Sequence, residues 1–108
     1  MSNTSESNIA GLRVENLRCE FLIDPIGVDV AAPRLSWELT SDRTGAHQVA
    51  YRIAAGDWDT GRIQSCDTAH IAYGGPPLRS GQRVTWRVEV EDDEASLTRS
   101  PDAGWEMG

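Results

Sequence analysis

The sequence has few cysteines, few basic residues and no long apolar run, and each scarcity excludes a class of protein. Two cysteines in 108 residues are too few for a small secreted fold held by a disulfide framework. Ten basic residues stand against 17 acidic ones, giving a net charge of −7. Such a surface repels phosphate backbones and anionic lipids, so we expect no nucleic-acid and no membrane partner. No apolar run approaches the ~20 residues of a membrane helix.

The N-terminal segment has neither the positive cluster nor the apolar stretch of a signal peptide. We therefore expect a disordered polar tail over residues 1–10, one domain over residues 11–108, and a cytoplasmic location. In a reducing compartment Cys19 and Cys66 are expected as two free thiols rather than a bridge.

A helical period is also missing, and the dominant period is two. Val84, Trp86, Val88 and Val90 alternate with charged residues or threonine, as a strand with one buried face requires. This run, about residues 82–91, is predicted to be the longest strand and to lie at a sheet centre. Similar alternation marks residues 17–23, 35–39 and 49–53. Trp37, in the second of these runs, is expected in the core with Trp86.

Turn-forming residues separate these runs, for example at residues 24–27, 42–45, 74–77 and 92–94. The spacing gives about seven short strands with a turn every ~8–12 residues. The pattern therefore predicts an all-β fold, an antiparallel β-sandwich.

Several segments resemble known families. Residues 78–90 (LRSGQRVTWRVEV) are similar to the E–F corner and F strand of fibronectin type III domains. A longer ordered set resembles the N-terminal region of bacterial α-L-rhamnosidases of glycoside hydrolase family 78. Its members are residues 12–20 (LRVENLRCE), 24–29 (DPIGVD), 33–37 (PRLSW), 48–53 (QVAYRI), 58–63 (WDTGRI), 75–78 (GPPL), 86–88 (WRV) and 105–108 (WEMG).

This resemblance implies an immunoglobulin-like, fibronectin-type-III-like sandwich that is a non-catalytic accessory domain of a rhamnosidase-like glycoside hydrolase. In that family a separate (α/α) barrel supplies the acidic residues for inverting hydrolysis, and no position of this sequence matches them. The implied partners are the other domains of such a protein, against which the domain packs or which it spaces. We also expect an exposed apolar patch that allows self-association of the isolated chain.

The residues themselves supply no convincing catalytic, metal or cofactor site. Asp57 and Asp59 are two residues apart, about 6.6 Å on a strand, with no cleft implied, whereas inverting hydrolysis needs carboxylates ~6.5–9.5 Å apart across a sugar. Asp92–Glu94 is typical of a charged turn rather than a calcium loop. His47 and His70 are far apart in sequence and beside no cysteine pair. No enzyme activity and no cofactor are predicted for this chain by itself.

Sugar binding is the alternative that the residues leave open. Trp58, Tyr73 and Trp105 fit the core alternation less firmly than the other tryptophans, so they are candidates for weak carbohydrate contacts or for contacts at a domain interface. Aromatic ring faces can stack on the apolar side of a pyranose. On this view the chain is a free-standing carbohydrate- or protein-binding module instead of an accessory domain.

Overall fold

A computed structural model of the protein describes residues 12–108, which form strands and turns with no helix in that range. The predicted tail over residues 1–10 lies outside the described residues. Nothing in the described part of the chain is a helix that could cross a bilayer. The strands are β1 Arg13–Cys19, β2 Arg34–Thr40, β3 Gln48–Ala55, β4 Trp58–Asp59, β5 Ile63–Gln64, β6 Ile71–Ala72, β7 Arg83–Asp92, β8 Leu97–Arg99 and β9 Ala103–Glu106.

The strands form two sheets that pack face to face. One sheet has the order β1-β2-β6. In the other, β3 and β7 pair at the centre, with β4 and β5 beside β3 and with β8 and β9 beside β7. All strand pairs are antiparallel. The predicted immunoglobulin-like sandwich is therefore confirmed. Residues 12–108 contain nine strands rather than about seven because β4, β5 and β6 are two-residue pairings, too short to leave an alternation in the sequence.

Strand β7 confirms the prediction made from its alternating pattern. It is the longest strand and lies at a sheet centre, between β3 and the pair β8 and β9. Val84, Trp86, Val88 and Val90 point into the core and are at most 3% exposed. The alternation predicted this strand well because one of its faces is dry along its whole length.

Strand β1 ends earlier and is less regular than its alternation predicted. A bulge between Glu15 and Arg18 in the pairing with β2 places Asn16 at φ 52°. The bulge restores the inward direction of Leu17 and Cys19 after Val14. The strand then ends at Cys19, so the expected continuation to residue 23 is wrong. Phe21 is 55% exposed.

Aromatic and polar contacts join the two sheets across the core. Trp37 of β2 meets Tyr51 of β3 edge to face, with ring centroids 5.4 Å apart. The indole Nε1–H of Trp37 donates to Oε1 of the buried Gln48 at 3.0 Å. Nε2 of Gln48 donates to the carbonyls of Ser65 and Asp67 at 3.0 and 2.9 Å. One buried amide therefore anchors the connection between β5 and β6.

Candidate functional site

The structure brings together the three aromatic residues that the sequence singled out. Trp58 lies in β4 and is half-buried, Tyr73 directly follows β6, and Trp105 lies in β9. Their rings form one row of edge-to-face contacts, with centroids 5.1 Å apart between Trp58 and Tyr73 and 5.8 Å apart between Tyr73 and Trp105. The row closes one end of the sandwich.

Burial limits what this aromatic row can bind. Tyr73 is 6% exposed and Trp105 is fully buried, so neither offers a ring face to a sugar. The Tyr73 hydroxyl donates to the Pro76 carbonyl at 2.8 Å. A Cβ on Gly75 would lie 2.5 Å from that hydroxyl oxygen and 2.6 Å from Cβ of Trp58, so the packing requires glycine. Of the three residues, only Trp58 is partly exposed.

A groove of about 480 Å³ lies beside the row and includes Asp57, Tyr73, Arg79 and Arg83 in its lining. Inverting hydrolysis needs a pair of carboxylates ~6.5–9.5 Å apart. Among the described residues that line the groove, Asp57 is the only carboxylic acid. The groove therefore does not supply the pair that glycoside hydrolysis requires.

Asp59 lies on the outer face of the larger sheet, in an environment that suits no proton donor. It accepts hydrogen bonds from Nε and Nη2 of Arg52 at 2.9 and 2.6 Å and from the Gly61 backbone N–H at 2.8 Å. The bonds from Arg52, then that from Gly61, lower the pKa of Asp59 to about 2. A catalytic acid needs a raised pKa to hold its proton at neutral pH, so this carboxylate is a structural ion-pair partner.

The acidic turn after β7 is bonded internally. Arg43 donates to both carboxylate oxygens of Asp93 at 2.7 and 3.1 Å and lies 3.6 Å from Asp92 and 3.7 Å from Glu94. The Asp92 carboxylate accepts the backbone N–H groups of Glu94 and Ser96 at 2.8 and 2.9 Å. These bonds hold the charged turn that the sequence predicted, between β7 and β8. Within residues 12–108 no cluster of His, Cys, Asp or Glu is placed to hold a metal ion.

The two cysteines are separate free thiols, Cys19 buried and Cys66 exposed. Burial raises the pKa of the Cys19 thiol to about 12, so it stays protonated and unreactive. The His70 ring packs edge-on against Phe21, with centroids 5.7 Å apart. None of these contacts is the arrangement of a nucleophile and its base.

The connection between β1 and β2 carries a feature that the sequence pattern did not reveal. Five of the seven large apolar side chains that are exposed among residues 12–108 lie in it. We call residues 20–30 the apolar loop. Its exposed side chains are Phe21, Leu22, Ile23, Ile26 and Val30. The Asp-Pro turn signal at residues 24–25 indicates an end of the strand near residue 23, not at Cys19.

Residues 14–108 match the family described as Rha78A-like, N-terminal immunoglobulin domain. An α-L-rhamnosidase of Streptomyces avermitilis is 36% identical over an alignment of 111 positions, which covers 93% of this chain and 11% of that protein. An α-L-rhamnosidase of Formosa agariphila is 34% identical over an alignment of 98 positions, which covers 79% of this chain and 10% of that protein. The chain thus spans about a tenth of the length of these relatives.

Solved structures agree with the sequence matches. The crystal structure of the Streptomyces avermitilis α-L-rhamnosidase complexed with L-rhamnose superposes with a TM-score of 0.87 at 34% identity, over 91% of this chain and 11% of that one. The α-L-rhamnosidase from Dictyoglumus thermophilum superposes with a TM-score of 0.84 at 29% identity, over 89% of this chain and 12% of that one.

Proposed function

The chain belongs to the family of Rha78A-like N-terminal immunoglobulin domains, and from that premise we propose that it is an accessory domain that packs on or spaces the other domains of an α-L-rhamnosidase-like glycoside hydrolase. Residues 14–108 correspond to the immunoglobulin domain, the chain covers about 11% of such a relative, and it is not an enzyme by itself. The rhamnosidase activity belongs, on this proposal, to the rest of the polypeptide.

The match to a domain at the N-terminus of much longer relatives carries the proposal. The surface supports it, because the apolar loop exposes large side chains that a partner can cover. The carboxylates support it as well. Asp59 accepts hydrogen bonds from Arg52, and Asp93 accepts them from Arg43, so each is an ion-pair partner rather than one of two acids that face a common cleft.

An exchange of domains in the Streptomyces avermitilis enzyme tests the accessory role. Three proteins are compared. The first is the unmodified enzyme, the second lacks the matched segment, and the third, the chimera, carries this chain in place of that segment. We expect the shortened protein to lose several degrees of Tm, and the chimera to regain most of that loss. Turnover of an aryl rhamnoside per folded molecule should stay within about twofold in all three proteins. A shortened protein with unchanged Tm and solubility would contradict the proposal, as would rhamnose release by the isolated chain.

Carbohydrate binding is a second candidate, favoured by one observation. Trp58 is half-exposed close to the groove that contains Asp57 and Arg79, so an indole face and polar groups lie near each other. Titration of the chain with L-rhamnose is expected to shift the indole N–H resonance of Trp58 at millimolar sugar and to leave that of the buried Trp86 unchanged. If neither resonance moves, this second function is rejected and the accessory role is untouched.

A further inference from the structure

The outer faces of both sheets are occupied by ion pairs formed within the domain. Each pair joins two separate segments of a sheet and leaves both partners hydrogen-bonded. They are Arg18–Glu38 at 2.7 Å on the smaller sheet, and Arg52–Asp59 at 2.6 Å and Arg62–Glu91 at 2.8 Å on the larger. Covering such a face with another domain requires removing water from these charges, and interface centres are depleted in charged residues. The ends of the sandwich are therefore better suited to docking than its faces.

The apolar loop begins with a strained and well-bonded turn. Glu20 and Phe21 have φ values of 50° and 68°, a left-handed conformation that a bulky residue rarely adopts. The backbone N–H of Cys19 donates to the Leu22 carbonyl at 2.8 Å, and the N–H of Leu22 donates back to the Cys19 carbonyl at 3.0 Å. The turn holds Phe21, Leu22 and Ile23 outward, each 55–59% exposed.

A charged clamp fixes this turn to β2. The carboxylate of Glu20 accepts the backbone N–H of Arg34 at 2.7 Å and its Nε and Nη2 groups at 3.0 and 2.9 Å. The same guanidinium lies over the Phe21 ring, 5.1 Å from its centroid. The exposed apolar side chains therefore belong to an ordered loop. Because the loop is already ordered, a partner that covers it pays little conformational entropy on binding.

The C-terminal residue lies against the apolar loop. The N–H of Val28 donates to the Glu106 carbonyl at 3.0 Å, and the N–H of Gly108 donates to the Val28 carbonyl at 2.9 Å. Ile26 and Val30, on either side of Val28, are 74% and 43% exposed. A polypeptide attached to Gly108 therefore starts beside these side chains, and the short tether gives it a high effective concentration there.

We propose that the apolar loop is the docking surface for the domain that follows this one in a rhamnosidase-type polypeptide, and that this domain presents a complementary apolar patch. The inference rests on the proposed function and adds which surface performs it. The position of Gly108 selects this occupant over an unrelated protein, because the following domain reaches the loop without a separate encounter. The 11% share of the Streptomyces relative that the chain covers leaves ample polypeptide to supply such a domain.

Amide hydrogen exchange in the chimera tests the docking surface. Exchange is measured for the isolated chain and for the chimera, and we expect amides of residues 20–30 to exchange at least tenfold more slowly in the chimera. Leu22→Ser and Ile26→Ser should lower the Tm of the chimera while leaving that of the isolated chain within about 2 °C. Leu97→Ser is the matched control, because Leu97 lies on β8 and is 62% exposed against 59% for Leu22. It should change neither protein.

The possible failures separate the docking surface from the accessory role. New protection on another face with none in residues 20–30 overturns this inference and leaves the accessory role standing. A chimera without new protection anywhere overturns this inference and leaves only the spacing form of the accessory role, in which no surface of the domain is covered. Should the chimera not fold, the shortened Streptomyces enzyme is titrated into the isotope-labelled chain, and line broadening must centre on residues 20–30. A dimer of the isolated chain that Leu22→Ser abolishes assigns the loop to a second copy instead and also overturns the inference.

Discussion

Replacement of Gln48 by methionine removes one buried and two part-buried hydrogen bonds at nearly constant side-chain length. Gln48 is 2% exposed, accepts the Trp37 indole N–H at 3.0 Å and donates to the carbonyls of Ser65 and Asp67. Methionine cannot donate a hydrogen bond, and its thioether sulfur is only a weak acceptor. The variant therefore tests whether this amide, rather than apolar contact alone, stabilises the region between the sheets.

The expected loss of stability comes mainly from the indole N–H of Trp37, which is left without its acceptor. A buried donor left without an acceptor costs about 1–3 kcal/mol. The carbonyls of Ser65 and Asp67 lie in a part-exposed connection, where water can replace the lost donor, so they add less. We expect the free energy of unfolding to fall by about 2–3 kcal/mol, out of the ~5–15 kcal/mol typical of a small domain. That corresponds to a Tm lower by roughly 10–20 °C.

Urea denaturation followed by tryptophan fluorescence measures this loss. Gln64→Met is the matched control, because Gln64 is exposed in β5 and its replacement should cost under ~0.5 kcal/mol. Trp37→Phe removes the donor, so in a double-mutant cycle the combined variant should lose about 1–2 kcal/mol less than the sum of the single variants. Losses that simply add, or a Gln48→Met midpoint equal to that of the wild type, would refute the reasoning.

Three further outcomes are expected. Trp86→Ala should cost about 3–5 kcal/mol, and a urea midpoint that does not move would show that Trp86 is not a core residue. Hydrogen bonds from Arg34 lower the pKa of Glu20 from 4.5 to about 2, so the pair stabilises the fold above about pH 4.5 and loses that contribution as pH falls toward 2. Tm curves of wild type and Glu20→Gln should therefore converge in acid, and parallel curves would contradict this. A thiol reagent should modify Cys66 in the native protein and Cys19 only after unfolding. Rapid modification of both cysteines in the native protein would show that Cys19 is accessible.

The alternation of side chains predicts the long strands because their buried faces are continuous. In β7 every second residue is buried over the whole strand, so the alternation in the sequence is uninterrupted. The two-residue strands β5 and β6 are set by neighbouring strands and by the bonds of Gln48, which connect residues distant in sequence. Such contacts leave no local signal, so these strands could not be predicted.

In the candidate site, too, the sequence identifies the residues but not the contacts between residues distant in the chain. The sequence selected Trp58, Tyr73 and Trp105 because they fit the alternation poorly, and the structure does place them side by side. The packing of Tyr73 against Trp58 depends on Gly75, whose missing side chain leaves room for the Tyr73 hydroxyl and for Cβ of Trp58. The sequence indicated a turn at this glycine, but not which rings close over it.

The apolar loop marks the point where the local pattern and the fold disagree. Phe21 and Ile23 continue the alternation of β1, and a strand would bury them, yet left-handed φ values at Glu20 and Phe21 turn the chain away. The clamp from Arg34 holds that conformation, at a cost in backbone strain that the isolated domain does not recover by burying the loop's side chains. Conflicts between local preference and final fold concentrate at functional sites. A following domain that covers Phe21 and Leu22 recovers that burial, and so gives the strained turn a physical reason to exist.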